Sequence, residues 1–180
     1  TSYTGGLVGD ASGTISSSSA SGNVTGGARV GGLVGSFLGS SLTDVSASGD
    51  VTSTTTSADV GGLVGYAQSN GGTLTNSFAT GNVSAAANAN SVGGLVGEFL
   101  MTGGISSVTA GSTNSTVSGG TATGGVIGYT TNGAATSFTT VTNGVQFAFR
   151  GASVSGNGWV GGLVGQSSGA ATFSAGYVIP

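Results

Sequence analysis

The chain has 180 residues, of which 39 are glycine, and its formal net charge at pH 7 is −3. Two arginines (Arg29 and Arg150), no lysine and no histidine leave nothing to neutralise a run of phosphates or an anionic membrane surface, which excludes nucleic-acid binding. With no cysteine there is no disulfide framework and no thiolate metal site. No apolar run is long enough for a spanning helix, so membrane insertion is not expected.

The organising signal is a pentapeptide, Gly-Gly-Leu-Val-Gly, beginning at Gly5, Gly31, Gly61, Gly93 and Gly161, with Gly-Gly-Val-Ile-Gly at Gly124. A repeat of about thirty residues marks a stacked array, in which one unit cannot bury its apolar side alone. The candidate core is therefore Leu7, Val8, Leu33, Val34, Leu63, Val64, Leu95, Val96, Val126, Ile127, Leu163 and Val164. In a regular strand Leu and Val would face opposite ways. Either the glycines kink the strand, or the strand is covered on both faces, or one column leaves an apolar stripe for lateral association.

A second block follows each pentapeptide. It reads Ile15–Val24 in the first unit, Leu42–Val51 in the second and Leu74–Val83 in the third. Thr, Val and Phe favour pleated surfaces, and the runs are too short for helices. The whole chain, residues 1–180, is thus expected to be one all-β domain, a right-handed parallel β-solenoid of about six coils. The Gly-Asx pairs Gly22-Asn23, Gly49-Asp50, Gly81-Asn82 and Gly156-Asn157 read as corners, where positive φ is tolerated and stacked side chains can hydrogen-bond along the axis.

In the fifth unit, Phe138–Thr142, Asn143-Gly144 and Val145–Arg150 read as an antiparallel hairpin. Such a hairpin would protrude from the solenoid, and Val141, Phe147, Phe149 and Arg150 become the candidate partner-binding loop. The alternative is one more corner, with the aromatics filling a wider coil.

Motifs that resemble chemistry dissolve on inspection. Gly156 to Gly161 has the glycine spacing of a dinucleotide site but no helix pattern and no downstream carboxylate. Gly165-Gln166-Ser167-Ser168-Gly169 has the form of a nucleophile elbow, without any histidine or lysine to serve as base. By alignment Asp44 stands over Asn76 and Asp50 over Asn82, so these carboxylates do not pair for glycoside hydrolysis. No catalytic residue and no cofactor is expected. A single calcium ion on Asp44, Asp50 or Asp59 is the one metal alternative. Thr-x-Thr pairs at Thr54, Thr73, Thr121 and Thr140 raise ice binding as an alternative function, but their offsets from the pentapeptide differ.

The pentapeptide together with Leu-Thr-Asn-Ser-Phe-Ala-Thr-Gly-Asn-Val (74–83) resembles the GLUG repeat family, over nearly the whole chain. The resemblance implies a surface-associated repeat module of bacterial secreted proteins and adhesins, with no catalytic residues to carry over. The sequence-based expectation is a non-enzymatic structural or adhesive module, extracellular or at the cell surface. It would act by self-association, end to end or lateral, including filament assembly, or by binding a host or glycan ligand. The start at Thr1, without Met or signal peptide, suits a processed product or a piece of a longer array.

Overall fold

The computed structural model describes residues 2–56, 58–139, 147–174 and 176–178. Every regular element among them is a β-strand, and every strand pairing is parallel. The first sheet stacks six three-residue strands: Tyr3–Gly5, Arg29–Gly31, Asp59–Gly61, Ser91–Gly93, Ala122–Gly124 and Trp159–Gly161. Each immediately precedes or enters a pentapeptide. After the bend at its second glycine and leucine, the chain enters a second wall: Val8–Ala11, Val34–Phe37, Val64–Ser69 and Val96–Met101. A third wall holds Thr14–Ala20, Ser41–Ala47, Thr73–Ala79 and Ile105–Ala110. The last sheet has five strands: Val24–Gly26, Val51–Ser53, Val83–Ala85, Thr116–Ser118 and Ser153–Ser155.

Four turns of the solenoid keep this four-strand pattern. In the next, Ile127–Thr139 runs without interruption through the corner, pairing first with Val96–Phe99 and then with Ile105–Ser106, and so joins the second and third walls into one sheet. Val164–Ser174 follows it, with an irregularity between Asn132 and Thr136.

The core is a set of columns in register. Val51, Val83 and Val117 stack with Val24 and Val154, Leu42 stacks with Leu74 and Ile105, and Val30 stacks with Val60 and Val92. Like falls on like because each coil repeats the one before it, and each fully buried aliphatic side chain stabilises the stack by roughly 1.5–3 kcal/mol.

Two local devices let short segments enclose this core. In the third wall, Ser17, Asp44, Asn76 and Ser107 form a column of residues with φ between 47° and 56°. Ser, Asn and Asp tolerate the left-handed region better than bulky residues do. The kink breaks the two-residue alternation, so Leu42 and Val45, three apart, are both buried, as are Ile105 and Val108. Positive φ therefore falls here and not at the Gly-Asx pairs, since Gly22, Gly49 and Gly81 are not among the residues with positive φ.

The Gly-Asx corners work by hydrogen bonding instead. Asp50 N donates to Asn23 Oδ1 (2.9 Å), Asn82 N to Asp50 Oδ1 (2.8 Å) and Thr116 N to Asn82 Oδ1 (2.9 Å). The expected ladder along the axis exists, but it runs mainly from side-chain oxygen to the backbone N–H of the next coil. One rung adds a side-chain pair, Asn82 Nδ2 donating to Asp50 Oδ1 at 3.1 Å.

Candidate functional site: a cleft beside the glycine bend

The pentapeptide is a sharp bend between the first and second walls. Leu33 N and Val34 N both donate to Leu63 O (2.9 and 3.1 Å), and Leu63 N and Val64 N both donate to Leu95 O. Two consecutive donors sharing one acceptor means that the strand has turned between them, so alternation does not apply. Leu33, Leu63, Leu95 and Val126 are all 0 % exposed, and so are Val34, Val64, Val96 and Ile127. No apolar stripe exists in these coils. Leu163 and Val164 are partly buried against the core, as is Val8, whereas Leu7 in the first rung is 52 % exposed.

The bend brings two sequence positions together: the residue two before each pentapeptide and the residue five after its first glycine. The first column is Tyr3, Arg29, Asp59, Ser91, Ala122 and Trp159. The second is Asp10, Ser36, Tyr66, Glu98, Tyr129 and Gln166. Across the cleft, Arg29 lies over the Tyr66 ring, its guanidinium carbon 3.5 Å from the ring centroid, and 5.2 Å from that of Tyr3. Its Nη1 donates to Ser36 Oγ at 3.4 Å, and its Nε lies 4.0 Å from Asp59 Oδ2. A guanidinium placed over two ring faces is attracted by the ring quadrupoles, which offsets part of the water it sheds.

Asp59 is only 6 % exposed, and its Oδ1 has no hydrogen-bond partner. Burial, reinforced by the charge of Glu98, pushes its carboxyl up to about 7, against the opposing pull of Arg29. Burial raises Glu98 as well, and it raises the Tyr66 phenol. Near neutrality the two carboxyls therefore compete for protons instead of both ionising.

A pH dependence of stability follows. The folded protein holds a proton on Asp59 that the unfolded chain releases near pH 4, so the stabilisation is full below that pH and fades as pH rises through about 7. The raised Glu98 adds to it with the same sign. The melting temperature is expected to be higher at pH 5 than at pH 8, by an amount on the order of 2 kcal/mol in stability. Asp59→Asn, which stays neutral, should flatten the profile; an unchanged slope in that variant would disprove the assignment.

Further along the cleft the first column carries Ala122 in place of a long side chain, and the space stays open. A cavity of about 360 Å³ is lined by Asn90, Ser91, Glu98, Thr121, Ala122, Tyr129 and Gln166. The Tyr129 hydroxyl pairs with Ser168 Oγ at 2.8 Å.

The candidate partner loop fares differently. Phe138 and Thr139 pair parallel with Ile105 and Ser106, and Ala148 and Phe149 pair parallel with Thr109 and Ala110. The two flanks thus follow the preceding coil, and the antiparallel hairpin is not formed by them. Phe147 pairs with Gly176 in the same parallel stack. Phe149 is 2 % exposed within the core cluster, while Arg150 is exposed. Val141 and Asn143-Gly144 lie outside the described residues. The physical reason is register: once Ile105–Ala110 supplies a strand edge, Phe147–Phe149 gains ladder bonds by extending it, and Ala148 and Phe149 are buried.

The remaining candidates are dispersed. Asp44 and Asp50 are exposed, Asp44 in the left-handed column and Asp50 in the Asx ladder, and among the described residues no group of three or more carboxylates could hold a metal ion. Thr73 and Thr75 stack on Ser41 and Thr43 and, below them, Thr14 and Ser16. Their hydroxyls bond one another, Ser41 Oγ to Thr43 Oγ1 at 3.0 Å and Thr43 Oγ1 to Thr75 Oγ1 at 3.2 Å. Thr123 is buried, and Thr54 lies just beyond the end of a strand.

Sequence reasoning missed the cleft, though a signal was present. Of seven charged residues, Arg29 and Asp59 share one offset from the pentapeptide, and Asp10 and Glu98 share another. In a chain so poor in charge, that coincidence marks two facing columns.

A family model described as the GLUG motif matches residues 26–52 and 56–84. No curated protein and no solved structure matches the chain.

Proposed function

Residues 26–52 and 56–84 match the GLUG motif, and on that premise we propose that the chain is a non-enzymatic structural and adhesive module of a secreted or cell-surface bacterial protein. It works without a cofactor, as a stiff β-solenoid that associates with coils of its own kind. The observation that carries this reading is the stacking itself: Leu33, Leu63 and Leu95 are each 0 % exposed because a neighbouring coil of the same kind covers them, and the strand pairings that join these coils are parallel and in register. A surface built to be covered by its own repeat is suited to coils of a second copy as well.

Against an enzyme, the reading relies on chemistry. Asp59 and Glu98 influence each other's protonation as a buried pair, and the chain holds no histidine or lysine to act as base. The ice-binding alternative is weakened by the hydroxyl rows, whose members bond one another instead of facing water in a repeated Thr array.

Particle mass measured across a dilution series tests the self-association. Assemblies that grow with concentration are expected, with the far-ultraviolet circular dichroism unchanged across the series. A wild-type chain that stays monomeric at the highest concentration would sink the assembly reading.

A further inference from the structure

We propose that the open part of the cleft, around Ala122, is a binding site for a neutral saccharide. This rests on the adhesive reading and gives that reading a site and a ligand class.

The argument starts from what fills the cleft elsewhere. In the lower coils the first column supplies Tyr3, Arg29 and Asp59, and the guanidinium of Arg29 occupies the space against Tyr66. At Ala122 the same position has only a methyl group, and the cavity of about 360 Å³ opens there. That volume lies in the range of small-molecule sites.

Its lining decides the ligand. Hydroxyls come from Ser91, Thr121 and Tyr129, amides from Asn90 and Gln166, and a carboxyl from Glu98. No cationic side chain is among the lining residues, so a phosphate, sulfate or uronate would enter without a counter-charge and beside a carboxyl. The lining is too polar for a lipid or an aromatic ligand, whose burial would strand its donors and acceptors. A ligand with many neutral hydroxyls, each able to donate and accept, satisfies amides, hydroxyls and a carboxyl together.

The second observation is independent of the cavity. Trp159 pairs in register with Ala122, one coil further on in the same column. An indole has a flat apolar face, which suits the C–H face of a pyranose while the sugar's hydroxyls reach polar groups alongside. On the opposite column, the Tyr129 ring is held by its bond to Ser168.

Trp159 is the single tryptophan of the chain and lies one coil beyond Ala122, so its fluorescence reports on the neighbourhood of the cleft. The test titrates cellobiose, maltose, lactose and N,N′-diacetylchitobiose, with glucuronate and dextran sulfate as charged probes, at millimolar concentration. At least one neutral saccharide is expected to shift the emission saturably, and the charged probes are not. Ala122→Arg, which copies the plug formed by Arg29, should weaken that response at least tenfold with Trp159 intact. Saturation-transfer NMR reads the same loss in Trp159→Ala, where fluorescence is silent. Circular dichroism confirms that both variants fold; if Ala122→Arg does not, Glu98→Gln and Gln166→Ala each take its place, with a loss of at least fivefold expected. No response to any neutral saccharide, tighter binding of a charged probe, or full retention of binding by the folded variants would overturn the proposal. A chain that assembles by mass yet binds no saccharide would overturn this site and leave the structural module standing.

Discussion

Leu63→Asp and Val64→Asp, made separately, are each expected to abolish folding. Both side chains are 0 % exposed, in adjacent positions that an ordinary strand would send to opposite faces. Removing either apolar side chain forfeits about 2–5 kcal/mol through lost transfer and a residual cavity. Leaving a carboxylate buried without a partner adds roughly 3–5 kcal/mol. The sum approaches or exceeds the whole stability of an ordinary domain, about 5–15 kcal/mol. Circular dichroism and urea titration give the measurement, and the decisive comparison is between the two variants. A folded Val64→Asp protein beside an unfolded Leu63→Asp one would mean that the valine column faces solvent, contrary to the bend described above. Leu7→Asp is the internal control, the same pentapeptide position in a rung where the side chain is already in water.

Gly65→Val is expected to be comparably damaging, through crowding instead of lost burial. A Cβ at Gly65 would lie 2.6 Å from Gly35 O, 2.6 Å from Val30 N and 2.9 Å from Asp59 O. Those atoms are backbone, fixed by the ladders of two sheets, so no side chain can swing aside. Gly97 meets the equivalent atoms one coil along, among them Gly65 O and Val60 N. The last glycine of each pentapeptide is thus required by the close approach of two backbones, and none of Gly35, Gly65 or Gly97 has positive φ. Overpacking a tight core costs about 1–3 kcal/mol when the surroundings can yield; here they cannot, and the loss should be larger. Gly22→Ala supplies the contrast, since nothing lies within 4 Å of its added Cβ and its φ is not positive. That variant should stay within about 1 kcal/mol of the parent, or gain slightly from the less flexible unfolded chain. Thermal melts of the two variants suffice, and equal destabilisation by both would refute the backbone-contact explanation.

Much of the architecture was legible because it depends on repetition. Leucine over leucine, valine over valine and a near-constant period require parallel stacking, since only stacked copies bury a face that a single copy leaves open. The Asx ladder was legible for the same reason: Asn23, Asp50 and Asn82 occupy one position in successive units. Of the two readings of 138–150, the flanks 138–139 and 148–149 follow the one in which the aromatics extend a wider coil, because Ile105–Ala110 offers them a strand edge, while the Asn143-Gly144 turn lies outside the described residues. The Gly-Asx pairs are corners as read, but the positive φ expected there falls five residues earlier. Gly and Asn at 22–23 looked suited to positive φ, but Ser17, Asp44, Asn76 and Ser107 adopt it, because the kink must fall where two inward side chains are needed three residues apart.

The sequence alone therefore determined the fold class, the period and which residues stack on which, all of which follow from chemistry repeated along one dimension. Only the tertiary structure decided how the pentapeptide uses its two apolar residues, because that depends on the angle between two sheets, and an angle leaves no periodic trace. The same bend set the cleft. Arg29, Tyr66, Asp59 and Glu98 come from three different repeats, and their meeting depends on how close the glycines let two backbones approach.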